Sequence, residues 1–391
     1  MSRWMANTQV LAEQAAQFRA LAERGGLLEL SRAVMRAACN NGSMTGVGVE
    51  SMQLLRGLSD QDRLELGGMW ARWYAHVEDD WSVEEFGRDS GYLRTELLMV
   101  ASGVVRDLDG DLLAAERQEL LSRLGDQFVV WSGHRIWELA DAELAAGRTP
   151  GGAVLAAFRR TSAAVHLPAF RRTHAAANGR ESGMRNLLAH FPGPVLNPGE
   201  PWADAALREA AARGEPWQRL LEHAAPATAD APSAKWRRAG SALLDAVGPE
   251  EARRAVLRWF ELVGLERTLP LLGHPHLRFD VNVCFDPYNS HVLRGLAWML
   301  SFLPPRSDTV RALVGLVETS LDHRSGDAPR APQVAEAGIV ALGLIGDRTA
   351  RIELETLSRC GVRRNGPWRS RRPASGGLPV SGRRRLPPPA A

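Results

Sequence analysis

From Leu66 onward the chain places Met69, Trp70, Trp73, Tyr74 and Val77 at +3, +4, +7, +8 and +11, the spacing that gathers side chains on one face of a 3.6-residue helix. Ser59 followed by Asp62 reads as the start of that helix, a capping box in which aspartate stands where Glu or Gln is usual. The same periodicity predicts helices over 8–24, 27–39, 92–105, 112–124, 127–146 and 152–177, with Gly147 and Pro150 ending one and opening the next. Period-two alternation is nearly absent: only 278–285 shows it, at Phe279, Val281 and Val283, and a lone strand has no partner. The pattern therefore predicts an all-α protein, more than half helical and with essentially no sheet.

Residues 191–201, FPGPVLNPGEP, hold four prolines and two glycines, which neither continue a helix nor complete a ladder. They divide an N-terminal helical domain, 1–190, from a second region, 202–362. In that second region Val292, Leu296, Met299, Leu300 and Leu303 mark one amphipathic helix, and Val334, Ala337, Gly338, Ala341, Leu342 and Ile345 mark another. These helices begin near Asn289 and Gln333, about 44 residues apart, and each is followed by a second helix, a period in the range of HEAT-like helix pairs stacked as an α-solenoid. Residues 335–358 read as one such pair, with small residues in the first helix, a turn at Gly346 and Asp347, then Leu354 and Leu357. Two pairs are fewer than the three that free-standing arrays need, so the remaining helices are expected to cap or extend the stack.

Charge changes the picture only at the end of the chain. Lys235 is the sole lysine beside 47 arginines, a bias that a GC-rich coding sequence produces without any phosphate-binding role. Residues 363–391 contain eight of those arginines and no acid, which leaves a net of about −5 on the rest. This tail also has six prolines and few apolar residues, so it is expected to be disordered. Its origin has two readings: translation from a shifted reading frame, or a natural basic tail that touches nucleic acid or an acidic partner. Cys39, Cys284 and Cys360 lie far apart, which argues against a disulfide framework and for a reducing, cytoplasmic setting. No stretch approaches the roughly 18 to 20 apolar residues of a spanning helix, so no membrane association is expected.

Four segments carry a family resemblance: EPWQRLLEHA at 215–224, KWRR at 235–238, DPYNSHVLRGLAWML at 286–300 and PQVAEAGIVALGLIGD at 332–347. Over 200–359 the chain resembles a bacterial family of large helical proteins of unknown function that includes the molybdate metabolism regulator-like, WGR-associated proteins. The resemblance implies a helical fold and an association with nucleic-acid-related proteins, and it implies no catalytic residues. No WGR-type module is visible in this chain.

The chemistry is mostly exclusion. With Lys235 the only lysine and set in SAKWRR, a Walker A loop and a kinase strand lysine are ruled out, and there is no G-x-S-x-G, H-E-x-x-H or dinucleotide fingerprint. Asp107, Asp109 and Asp111 imitate the first positions of a calcium loop, but Leu112 stands where its glycine is needed and Gln118 where its bidentate Glu is needed, leaving an interhelical turn capped by Asp111. His274, His276, Asp280, Cys284 and Asp286 crowd thirteen residues with zinc-type ligands in no known spacing; a punctuated loop is the plainer reading. His166 and His174 share a predicted helix and read as exposed or core-satisfied. Trp70, Trp73, Trp137 and Trp259 recur at helical spacing, as core residues do.

One stripe stands out. His291, Arg294 and Trp298 lie at i, i+3 and i+7, on the side of their helix roughly opposite Val292, Leu296, Met299 and Leu303. A guanidinium stacked on an indole there could hold a partner's carboxylate, or Arg294 could bridge Asp286 or a neighbouring repeat. The expected function is a scaffold that binds another protein, without catalytic residues, cofactor or metal. The alternatives are a nucleic-acid-linked regulator and a metal-dependent enzyme built on 274–286.

Overall fold

A computed structural model describes residues 2–40, 47–77, 90–130, 136–164, 186–191, 193–273, 280–322 and 330–364. Well over half of these residues are helical, and among them there is no strand, only an isolated parallel bridge between Gln127 and Leu272. The N-terminal half runs α1 (Ser2–Glu23), α2 (Leu27–Asn40), α3 (Val49–Arg56), α4 (Asp60–Ala75), α5 (Ser90–Val105), α6 (Ala114–Gly125), α7 (Trp137–Ala145) and α8 (Gly152–Ala164). The C-terminal half runs α9 (Pro201–Arg213), α10 (Glu215–Ala224), α11 (Ala234–Val247), α12 (Pro249–Glu261), the 3-10 turn Val281–Val283, α13 (Asn289–Leu300), α14 (Ser307–Leu321), α15 (Pro332–Ile345) and α16 (Arg348–Arg364).

Local signals set the helix ends. The Ser59 hydroxyl accepts the Asp62 N–H at 3.1 Å and donates to the Asp62 carboxylate at 2.7 Å, so the carboxylate engages the cap's hydroxyl. Gly346 closes α15 in the left-handed region at φ 61°, and Asp347 then accepts the Ala350 N–H at 2.7 Å to open α16. The C-terminus of α5 is capped by arginines: Arg56 Nε donates to the Gly103 carbonyl at 2.6 Å and Arg63 Nε to the Val104 carbonyl at 2.9 Å. Asp111 takes the Leu113 N–H at 3.1 Å and Arg117 at 2.6 Å, a turn and no ion loop.

Two apolar cores result. In the first, α5 is central and packs on α2, α3, α4, α6 and α7 around Leu66, Trp70, Leu97 and Phe158. In the second, α10, α13 and α15 pack side by side in one row, while α9, α12, α14 and α16 form another, each helix touching the next. Trp202, Trp259 and Trp298 are buried in this core. Gly295 lets α13 approach α10 so closely that a Cβ there would fall on the Ala224 backbone, and a Cβ on Gly338 would sit 2.6 Å from Val317 on α14. A small third cluster, with Phe128, Val129 and Ala164 from the first half and Leu271 and Val281 from the second, seals the join.

Two expectations are corrected. Residues 127–146 do not form one helix: Phe128 donates to the Leu272 carbonyl at 3.0 Å and Leu272 donates to the Asp126 carbonyl at 2.7 Å, so long-range pairing takes the backbone there and α7 begins at Trp137. Residues 278–285 supply no strand over the described part, Val281–Val283 being a 3-10 turn. Within 191–201, Leu196 and Asn197 have no exposed surface and Glu200 is 6% exposed. The two apolar cores nonetheless part there, the first ending at Phe191 and the second beginning at Val195. The expected tail lies outside the described residues beyond Arg364.

Candidate functional site

The most distinctive chemistry of the described residues lies where the two halves meet. Asp286 precedes α13 and is completely buried, with its carboxylate accepting the Tyr288 N–H at 2.9 Å and the Asn289 N–H at 3.4 Å, so it caps the helix that follows. The same carboxylate accepts the Asn197 side chain at 3.2 Å and stands 3.6 Å from Arg160 on α8. Glu200, one residue before α9, accepts the Asp286 N–H at 2.9 Å and the Asn289 side chain at 2.8 Å. Asn197 also donates to the Ala156 carbonyl of α8 at 3.2 Å. Arg160 extends Nε to the Phe128 carbonyl at 2.8 Å and Nη2 to that of Gln127 at 2.9 Å.

Two further arginines complete this seam. Arg159 lies over the Tyr288 ring, 5.9 Å from its centroid, and its Nη2 has no hydrogen-bond partner. Arg267, in the loop after α12, lies 6.0 Å from the Phe128 centroid and 3.9 Å from Glu200, and none of its three nitrogens has a hydrogen-bond partner. Burial lowers the pKa of Arg159 and of Arg160, against the opposing pull of Asp286. Burial raises that of Glu200, with Arg267 opposing, and burial likewise raises the Tyr288 hydroxyl.

The sequence singles out Asp286 as a ligand type in the 274–286 segment and as a candidate bridge for Arg294, and the structure separates it from that company. Asp280 accepts the Asn282 N–H at 2.8 Å to start the 3-10 turn, Cys284 donates to the Asp280 carbonyl at 3.5 Å, and Asp286 belongs to the seam. His274 and His276, like His166 and His174, lie outside the described residues. Among those described, no group of three or more His, Cys, Asp or Glu is placed to hold a metal.

The stripe of His291, Arg294 and Trp298 is not an outward face. Every residue of α13 except His291 is buried. Arg294 is 6% exposed and donates Nη2 to the Ala229 carbonyl at 2.6 Å, and its guanidinium lies 5.7 Å from the Trp298 centroid. Trp298 in turn meets the edge of Trp236 at 5.5 Å. The side opposite Val292 and Leu296 is thus covered by α10, α11 and the chain between them, because an inner helix of a two-row packing has neighbours on both sides. Arg294 bridges to Ala229, not to Asp286.

Sequence reasoning passed over Arg159, Arg160, Asn197, Glu200, Arg267 and Asn289. One signal was readable: Arg159 and Arg160 interrupt GAVLAAFRRTSAA, a helix with apolar residues all around, which places them inside. Compared with known proteins, the chain matches no family model, no curated protein and no solved structure.

Proposed function

We propose that this chain is a helical-repeat scaffold of the HEAT-like kind, akin to the molybdate metabolism regulator-like proteins, that binds another protein without catalysing a reaction. One observation supports the binding reading above others. The loop after α12 is pinned by backbone bonds from Thr268 to Gly199 at 3.0 Å, from Leu271 to the Asn282 side chain at 2.8 Å and from Leu272 to Asp126 at 2.7 Å. That same loop exposes Leu265, Leu269 and Leu272 at 52, 53 and 65%. Three exposed leucines along a loop whose backbone is held in place offer apolar surface of the kind a docking loop uses. The partner it fits is the apolar face of another protein's helix.

The experiment is capture by the full chain compared with a Leu265→Ser, Leu269→Ser, Leu272→Ser variant, with thermal melting of both. The reading expects an unchanged melting temperature and loss of the proteins that the wild type retains. Equal retention by the two removes the loop as the docking surface.

A further inference from the structure

We propose that the seam between the two halves is a binding site for one compact oxyanion, of phosphate or carboxylate chemistry, taken by the guanidinium of Arg267 with Arg159 and Arg160 supplying the surrounding positive field. The case rests on charge and on hydrogen bonds together. Arg159, Arg160 and Arg267 are 6, 2 and 8% exposed, and arginine keeps its proton in such places. They face two carboxylates, Asp286 and Glu200. Three cations against two anions leaves a buried positive charge, and an uncompensated buried charge is among the least favourable arrangements a fold can hold.

The surplus is localised. Arg160 is matched by Asp286 at 3.6 Å and by the carbonyls of Phe128 and Gln127. Arg267 has only Glu200, at 3.9 Å, and all three of its nitrogens are without a hydrogen bond. Glu200 cannot simply turn to meet it, since both Glu200 oxygens already accept, from the Asp286 N–H and from Asn289. A guanidinium with its donors idle beside a ring and a committed carboxylate is a fork without a substrate, and an oxyanion with two oxygens to offer is its geometric complement. Arg159 adds a second donor without a partner, and its guanidinium lies where Gly193 has no side chain, since a Cβ there would fall on it.

Such an anion would sit against both halves, because Arg267 follows α12 and the Phe128 ring beside it belongs to the first half. Its binding therefore stabilises their association, and the melting temperature becomes dependent on its concentration.

The test uses the full chain with inorganic phosphate as the probe, and sulfate and acetate as separate arms, titrated against chloride at constant ionic strength. Melting temperature and calorimetric heat are read together. The expected result is a saturable rise in melting temperature with phosphate and one site per chain, with Arg267→Met weakening binding about tenfold or more. Arg351→Met, at an exposed position on α16, should bind as the wild type does and controls for non-specific screening. If acetate alone acts, the site is a carboxylate site and the proposal stands. If no oxyanion shifts melting beyond chloride, or if Arg267→Met responds as the wild type does, the proposal is overturned. Should Arg267→Met not fold, Arg159→Met carries the same comparison, and the wild-type titration decides without any variant.

Discussion

The side chain of Asn289 holds the main chain of Asn197 on both sides, donating to its carbonyl at 2.9 Å and accepting its N–H at 2.7 Å. One residue thereby satisfies a peptide segment much as a neighbouring strand would, in a protein whose described residues contain no strand. The pair joins the start of α13 to the approach to α9, and its other amide proton goes to Glu200.

Asn289→Ala should be severely destabilising for that reason. It strips partners from the Asn197 N–H and carbonyl and from one Glu200 oxygen, all buried, and a loss of about 3 kcal/mol is expected. Urea unfolding monitored by circular dichroism measures it. An unchanged midpoint would mean that the seam contributes nothing to holding the fold.

Two glycine substitutions should part in sign. Gly295→Ala puts a methyl onto the Ala224 backbone and should destabilise by roughly 3 kcal/mol or more, since neither helix can yield without moving its neighbours. Gly315→Ala, within α14 and with nothing near its added Cβ, should stabilise by about 0.5 to 1 kcal/mol through helix propensity and chain entropy. Equal effects of the two would contradict the close crossing of α13 and α10.

Trp298→Ala should cost about 3 to 5 kcal/mol, because the ring is 1% exposed and packs against Trp236. Arg294→Ala should cost about 1 to 3 kcal/mol by leaving the Ala229 carbonyl unbonded. Thermal melting of both variants gives the answer: a large loss at each position marks packing between helices, and no loss would restore a surface role.

The acid limb of stability should belong to Glu143. Burial by itself would raise its carboxyl, but hydrogen bonds from Arg148, Gln118 and Arg117 outweigh that and hold its pKa at about 2, against 4.5 unperturbed. A lowered folded pKa gives stability that is complete above 4.5 and lost as pH falls toward 2, on the order of 3 kcal/mol. Denaturation midpoints across that window should fall more steeply for the wild type than for Glu143→Gln. Glu200 acts with the opposite sign: its folded pKa is raised by burial, so its contribution is complete below the ordinary carboxylate range and is lost as pH rises through the folded value.

Helix class, the Ser59 cap and the Gly346–Asp347 turn were legible because each is written within a few residues: a 3.6-residue spacing, a hydroxyl before an acid, a glycine that accepts φ 61°. The break at 127–130 was not, because its cause is Leu272, and no local pattern announces a partner so far along the chain. The same holds for the seam. Asn197 and Asn289 are 92 residues apart, and either one in isolation reads as an ordinary turn or cap residue. For α13 the periodicity located the helix correctly and misjudged its far side, since spacing tells which residues share a face but not how many faces are covered.

Arg160 grips oxygens that belong to peptide groups, at Phe128, Gln127 and, more distantly at 3.4 Å, Gly125. A lock of this kind is indifferent to the identity of the residues it holds, because every amino acid carries the same carbonyl. Drift at Gln127, where the side chain is not what is being gripped, leaves the keyhole unaltered, whereas Arg160 itself has no substitute with the same reach and fork. A saturation scan of this region should accordingly be lopsided, with near-total intolerance at the key and broad tolerance at Gln127, so that the fixed point of this joint can drift in sequence while keeping its geometry.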